Sequence, residues 1–468
     1  MDYDIIVIGA GSAGLTVAIG GSQIGAKVLL VEREKIGGDC THHGCVPSKT
    51  LIKASRIMKS IKEGENYGIS AKVDFSIQDA LKKVTSVVDS IYEHETPEIM
   101  KKYGIDVELG TCSFVSKDSI SVNGKEFSAK HIVIATGSRA FVPEIKGLDS
   151  IKYMTNKEIF DPSSYSSLAV LGTGPIGCEL GQAFSNLGID VTLINNGDTV
   201  LSREDSKASE LVQKELEKDG VNVLLGYDVE KIEEKDGKKI LYLVKKSDST
   251  KKTLEVDQLL IATGRTPNIE GLNLEEAGIE FNSRGISVDK YGRTSNKRVY
   301  AAGDVNGSMQ FTHLANSHAK SILAKVIFKI PATLEQEVIP RVTFTTPEVA
   351  SIGIKEDEKD TSDLVLYKEY SQVDRAITES NTQGFFKIIV SKKGYIRGAT
   401  LVGEGSGELI GEIALAMKNK IKITQLADTI HPYPTYGYGL RNCADQFRGQ
   451  SFTENKKKWV KRIFRLRG

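Results

Sequence analysis

Several of the apolar stretches in the first three hundred positions are short unbroken runs. Ile5-Ile6-Val7-Ile8 is such a run, and an uninterrupted β-branched stretch predicts a strand covered on both faces inside a parallel sheet. Gly9-Ala10-Gly11-Ser12-Ala13-Gly14 follows, then a helical stretch to about Ile24 and a second strand from Lys27 to Val31 that ends on Glu32. The order returns as Leu168-Ala169-Val170-Leu171, Gly172-Thr173-Gly174-Pro175-Ile176-Gly177, a helix, and the strand Val191-Thr192-Leu193-Ile194. Glu32 lies 23 positions after Gly9 and Asn195 lies 23 after Gly172, so the two copies are in register. Each copy is followed by a later apolar strand and small-residue turn, Ile132-Val133-Ile134-Ala135-Thr136-Gly137 and Leu259-Leu260-Ile261-Ala262-Thr263-Gly264. A further buried strand, Val299-Tyr300-Ala301, leads into Ala302-Gly303-Asp304. From about Pro340 the pattern changes. Strand-like segments (Arg341 to Phe344, Phe385 to Val390, Gly398 to Val402) now alternate with helical ones such as Glu408 to Lys418.

Strand, Gly-x-Gly-x-x-Gly, helix, strand and acid is the dinucleotide-binding unit. Its glycines serve the tight turn, close backbone approach to a pyrophosphate, and helix packing, and the acid takes a ribose hydroxyl. Two such units predict an α/β protein with two Rossmann-like domains holding two dinucleotides, and a C-terminal α+β domain. The length of 468 residues accommodates three domains. Lys and Arg number 62 against 61 Asp and Glu, so no global basic field marks a nucleic-acid binder. The start, Met1-Asp2-Tyr3-Asp4, has no basic region of a signal peptide, and no apolar stretch is long enough to span a bilayer. A cytoplasmic location is the expectation. Five cysteines are too few and too scattered for a structural disulfide framework, so any disulfide here should be redox-active.

The most informative segment is Gly37-Gly38-Asp39-Cys40-Thr41-His42-His43-Gly44-Cys45-Val46-Pro47-Ser48-Lys49. Five positions along a straight helix rise by about 7.5 Å, beyond the reach of a disulfide, so the backbone must bend for the sulfurs to meet. Gly44 permits the bend, and Pro47 fits the first turn of a helix starting near Cys45. A thiol at that helix N-terminus is favoured as thiolate. Two unrelated buried cysteines are the plain alternative. A zinc site from Cys40, His42, His43 and Cys45 is disfavoured because four ligands within six residues cannot easily close one tetrahedron.

In the order first Gly unit, Cys-x4-Cys-x3-Lys, Ala-Thr-Gly-Ser, second Gly unit, Ala-Thr-Gly-Arg and Ala-Gly-Asp, the chain resembles the class I pyridine nucleotide-disulfide oxidoreductases over nearly its whole length. The resemblance implies FAD and NAD(P)H as cofactors and a homodimer. Its domains would be FAD (1-150 and 271-336), inserted NAD(P) (151-270) and dimerisation (337-454), followed by a tail (455-468). Electrons would pass from NAD(P)H to FAD, to a Cys40–Cys45 disulfide and on to an external acceptor, with Cys45 facing the flavin and Cys40 the substrate. Gly9, Gly11, Gly14 and Glu32 would hold the FAD adenosine and pyrophosphate, and Asp304 would bind on the flavin side. Gly38, Lys49, Thr136, Gly137, Ser138, Gly172, Gly174, Gly177, Asn195, Gly264, Arg265, Gly303 and Ala315 would complete cofactor binding. Lys49 and Glu179 match an ion pair beside flavin and nicotinamide; the alternative for Glu179 is an ordinary exposed helical glutamate.

Two departures from the family stand out. Asn195 replaces the acid that would repel a 2′-phosphate, and Arg203 lies nearby in sequence, which favours NADPH over NADH. In His431-Pro432-Tyr433-Pro434-Thr435-Tyr436-Gly437-Tyr438, Tyr433 and Tyr438 stand where dithiol-using members carry a His–Glu acid–base dyad. A phenol with a reference pKa near 10 is a poor base at neutral pH. Tyr at that position is similar to mercuric reductase, whose metal substrate needs no imidazole. No vicinal cysteine pair closes this sequence, and Cys443 reads as a packed helix residue. His42, His43 or His431 could supply the base, and Asp39 should raise the thiol pKa of Cys40. The alternatives are a quinone reductase acting at the flavin and a flavin-loaded redox sensor. Finally, Lys456 to Arg467 carries seven Lys and Arg interleaved with Trp459, Val460, Ile463 and Phe464. This is the pattern of a short basic amphipathic helix that could touch an anionic membrane or simply solubilise the chain.

Overall fold

The computed structural model describes residues 1–451 and 454–467. It divides the chain into two compact units, Met1–Asp198 with Gly220–Gln336, and Thr199–Asp219 with the residues from Glu337 onward.

In the first unit, parallel strands run in the order Ile105–Leu109, Val28–Glu32, Tyr3–Ile8, Lys125–Ile134 and Val299–Ala301. Ile6 sits opposite both Leu29 and Ile132, which fixes the register. The run Ile5 to Ile8 is apolar throughout because both faces of this sheet are covered. Ile5 and Val7 pack with Val17 of the helix Ser12–Gln23 and Ile322 of the helix Thr312–Val326. Ile6 and Ile8 face the other way, toward Phe114 and Ile120 of an antiparallel arm. Each such side chain stabilises the fold by about 1.5–3 kcal/mol relative to exposure.

The design recurs around Ser167–Leu171, flanked by Asp190–Asn195 and Gln258–Ile261, with Asn222–Leu225 beyond, all parallel. An antiparallel meander of Tyr227–Lys235, Lys238–Lys245 and Lys251–Val256 covers this sheet. It packs inward through Ile232, Leu241, Leu243 and Val256. The two outer strands largely alternate apolar and polar residues, the middle one holds the apolar run Ile240 to Val244, and none of the three was singled out in the sequence.

The second unit contains a five-stranded antiparallel sheet in the order Arg341–Thr343, Val349–Gly353, Ile396–Val402, Phe385–Val390, Leu364–Glu369. Its core joins Phe386, Ile388 and Leu401 to Ile413, Leu426 and Leu440 from helices Ser406–Lys418, Ile423–Asp428 and Tyr436–Ser451. Cys443 is fully buried among them, as a packed helix residue should be. The fold is thus mixed α/β with Rossmann-like sheets and an α+β C-terminal part. Among the described residues, no helix is long and apolar enough to cross a membrane.

Candidate active site

The bend required between the two cysteines is present. A short helix, Gly38–His42, carries Cys40, and a long one, Cys45–Glu63, opens on Cys45. Gly44 lies between them, so close to the preceding turn that a Cβ there would lie 3.0 Å from Asp39 O and 3.2 Å from Cys40 Cα. Both cysteines are free, and the Cys40 thiol is close enough to donate a hydrogen bond to the Cys45 sulfur. Thr312, the first residue of Thr312–Val326, donates its hydroxyl to Cys40 Sγ at 3.3 Å and lies 3.8 Å from Cys45 Sγ.

This geometry sets the thiol chemistry. The hydrogen bond from Cys40, the Lys49 ammonium and the Thr312 hydroxyl together lower the Cys45 thiol to about 6, against the opposing effects of burial and Glu179. The position of Cys45 at the start of a helix favours the same charge state. Cys40 is pushed well above the ordinary thiol range by its bond to Cys45, by burial and by the Cys45 charge. The pair therefore holds one proton on Cys40 and a negative charge on Cys45 near neutral pH. Asp39 is not among the causes of the Cys40 shift. The expected direction stands, but neighbouring sulfur and burial produce it.

Asp39 instead accepts from Arg265 Nη2 at 2.8 Å and from Asn156 Nδ2 at 2.8 Å. Arg265 Nε reaches Ser138 Oγ at 2.7 Å, and Ser138 Oγ donates to Asp304 Oδ2 at 2.6 Å. A continuous polar chain thus joins the residue next to Cys40 to Asp304, whose carboxyl is raised by burial despite Ser138 and Arg265. Gly264 introduces this arm at φ +136°, and Thr136 Oγ1 donates to Asn268 O at 2.7 Å beside Gly137. Ala315 packs under the Gly303 turn, where a Cβ on Gly303 would lie 3.0 Å from Ala315 Cβ. Lys49 Nζ stands 2.6 Å from Glu179 Oε2. Glu179 lies in the helix Pro175–Asn186 with its side chain 7% exposed, so it is not an ordinary surface glutamate.

The two glycine turns match position by position. Gly9 and Gly172 have φ of +99° and +107°, and a Cβ on either would come within 2.4 Å of a carbonyl oxygen, Ala135 O or Ala262 O respectively. A Cβ on Gly14 or Gly177 would collide with the first glycine's own carbonyl. The middle glycines differ: nothing lies within 4 Å of a Cβ on Gly174, and only Gly38 Cα, at 3.9 Å, near one on Gly11. The outer glycines are therefore fixed by packing, and the middle ones leave open space at a helix N-terminus. That cradle fits a pyrophosphate. Glu32 accepts from Ala10 N at 2.7 Å and Glu34 N at 2.8 Å, which holds its carboxylate at the end of the second strand. Asn195 ends the equivalent strand of the second copy. Dinucleotide cofactors thus fit both turns.

Three histidines were candidates for a base. His42 Nε2 pairs with Ile36 O at 2.7 Å and its ring packs edge-on against Tyr92. His43 is half-buried, and that burial lowers its pKa. His431, in the second unit, sits between Thr429 O at 2.9 Å and Glu412 Oε1 at 3.0 Å. Tyr433 belongs to the same unit, where its hydroxyl donates to Asp374 Oδ2 at 2.9 Å and its ring meets Tyr438 edge-on. That hydrogen bond raises its pKa. Sequence reasoning missed Thr312, Asn156, Glu412 and Asp374. Each is a common residue type far in sequence from its partner and marked by no local pattern.

The glycine cradles, the cysteine pair and the Lys49–Glu179 bridge define a flavin- and pyridine-nucleotide-dependent oxidoreductase. Residues 3–319 match the pyridine nucleotide-disulphide oxidoreductase family and residues 339–442 its dimerisation domain, so the chain belongs to that family. It is 35% identical to a mercuric reductase of Bacillus cereus over 94% of this chain and 70% of that one. It is 34% identical to a dihydrolipoyl dehydrogenase of Geobacillus stearothermophilus over 93% and 94%. Among solved structures, the HOCl-induced flavoprotein disulfide reductase RclA of Escherichia coli superposes with a TM-score of 0.85 at 27% identity, over 95% of this chain and 99% of that one.

Proposed function

We propose that this oxidoreductase passes electrons from NADPH through FAD to the Cys40–Cys45 pair and on to a disulfide or, preferably, a thiol-bound soft metal ion. The observation that carries this reading is the Cys45 thiol, lowered to about 6 at a helix N-terminus, next to a Cys40 that keeps its proton. When bound, FAD supplies two-electron chemistry, taking a hydride from the nicotinamide and giving up an electron pair. The protein's own part is to receive that pair: the S–S bond breaks, Cys40 takes one proton, and Cys45 remains thiolate. Lys49 stabilises negative charge beside Cys45, and buried Glu179 holds Lys49 in place. Gly9, Gly11, Gly14, Glu32, Ser138 and Asp304 would hold FAD. Gly172, Gly174 and Gly177 would hold the nicotinamide nucleotide.

The metal is preferred as acceptor because Tyr433, raised by Asp374, cannot serve as a base near neutral pH. Metal–thiolate exchange needs no imidazole relay. The match to a dimerisation domain supports a homodimer, in which Tyr433 would face the partner's Cys40. Asn195 in place of an acid supports NADPH. The test is NADPH oxidation with mercuric ion plus a small thiol, lipoamide, oxidised glutathione and a quinone as acceptors, repeated with Cys40→Ser. Loss of metal and disulfide reduction with quinone reduction spared supports the reading. Unchanged metal reduction in Cys40→Ser overturns it, as does a kcat/KM for NADH tenfold above that for NADPH for the coenzyme choice.

A further inference from the structure

The helix Glu454–Arg467 plays no part in the chemistry above. At about 100° per residue, Trp459, Val460, Ile463 and Phe464 fall within one arc of about 140°. Lys457, Lys458, Lys461, Arg462 and Arg465 fill the opposite arc, and after Glu454 the helix contains no acid. Trp459 is 65% exposed and Phe464 80% exposed, and Val460 is exposed beside them. Lys456, at the start of the helix, falls on the apolar side, but from Lys457 to Arg465 the two faces separate, and large apolar side chains left in water there call for a covering surface.

We propose that this helix docks the protein on an anionic lipid bilayer, with the Trp459–Phe464 face entering the headgroup boundary and the flanking Lys457, Lys461 and Arg462 meeting lipid phosphates. Charge complementarity selects this occupant. A second copy would bring two basic helices together, and a nucleic acid would satisfy the cations while leaving the indole and phenyl rings in water. An anionic interface serves both faces at once, because lysine and arginine can extend from an apolar contact to the headgroups. The inference rests on none of the proposed electron-transfer roles.

Trp459 is the only tryptophan in the protein, so its emission reports on this helix alone. The FAD-loaded enzyme is mixed at low salt with vesicles of phosphatidylcholine alone or of phosphatidylcholine with phosphatidylglycerol. Binding is read by co-sedimentation, Trp459 emission and its shielding from acrylamide. Expected are co-sedimentation, a blue shift and shielding with the anionic vesicles only. Apparent affinity should be about tenfold weaker in Val460→Ser/Phe464→Ser and in Lys457→Gln/Lys461→Gln/Arg462→Gln, with NADPH oxidation unchanged in both. Three results would overturn the proposal: no co-sedimentation, binding unaffected by the Val460/Phe464 pair, or a blue shift that grows with protein concentration without vesicles. Tighter binding to a single-stranded oligonucleotide than to the anionic vesicles would overturn it too.

Discussion

Arg265 Nη2 lies 2.8 Å from Asp39 Oδ2, so the Ala-Thr-Gly-Arg turn and the helix bearing Cys40 are tied by an ion pair across 226 residues of sequence. Arg265 is largely buried and also bonds Ser138, so removing Asp39 leaves a guanidinium with fewer acceptors. Asp39→Asn should cost about 1–2 kcal/mol of stability, between exposed and buried pairs. FAD should also be released more readily on dilution, because the chain through Ser138 reaches Asp304. Thermal unfolding and flavin fluorescence check both effects, and Asp39→Glu should restore part of each.

The charge on Cys45 should titrate near neutral pH. A thiol lowered to about 6 is thiolate above that pH and protonated below it. Brief alkylation of the reduced protein, mapped by mass spectrometry, should label Cys45 with a midpoint near pH 6. Cys40 should stay largely unlabelled until far higher pH. Lys49→Met removes a cation that favours the thiolate, so the Cys45 midpoint should rise.

Thr312 hydrogen-bonds Cys40 and adjoins Cys45. Thr312→Val keeps the shape and removes the hydroxyl, which helps to lower the Cys45 pKa. Reduction of the acceptor at neutral pH should fall about two- to fivefold, and Thr312→Ser should recover it. An unchanged rate with an unchanged Cys45 midpoint would show that the hydroxyl has no part in the thiol chemistry.

Tyr433 donates to Asp374. If it orients an acceptor without acting as a base, Tyr433→Phe should lower kcat by less than about fivefold and leave the pH profile between 6 and 8 unaltered. Loss of one limb of that profile would instead make the phenol a proton carrier.

The second glycine turn separates stability from binding. Gly172→Ala places a Cβ 2.3 Å from Ala262 O at a left-handed φ and should destabilise by about 1–3 kcal/mol. Gly174→Ala meets nothing within 4 Å. Its stability should stay within about 0.5 kcal/mol, while KM for NADPH rises about tenfold because the methyl enters the pyrophosphate space. Equal effects of the two substitutions on unfolding would contradict the open cradle at Gly174.

What the sequence determined by itself is whatever local chemistry forces. Runs such as Ile5 to Ile8 must be doubly covered strands, the glycines at 9 and 172 must turn where side chains cannot, and Cys40 and Cys45 can meet only across a bend such as Gly44 allows. These features depend on neighbours within a few residues, so they are legible without a fold. The sequence was silent wherever the partner is remote. Asp39 looked like an anion acting on Cys40 until Arg265 and Asn156 were seen to engage it, and Thr312 looked like any residue opening a helix. Nothing in the sequence marked that His42 Nε2 is held against Ile36 O. Only the tertiary structure decides which polar atoms are already engaged, because a hydrogen bond depends on distance and direction between side chains that periodicity does not relate. The same reasoning applies to the last helix. Its division into apolar and basic faces is written in the spacing of Trp459 to Arg465, and the fold adds that Trp459, Val460 and Phe464 are exposed.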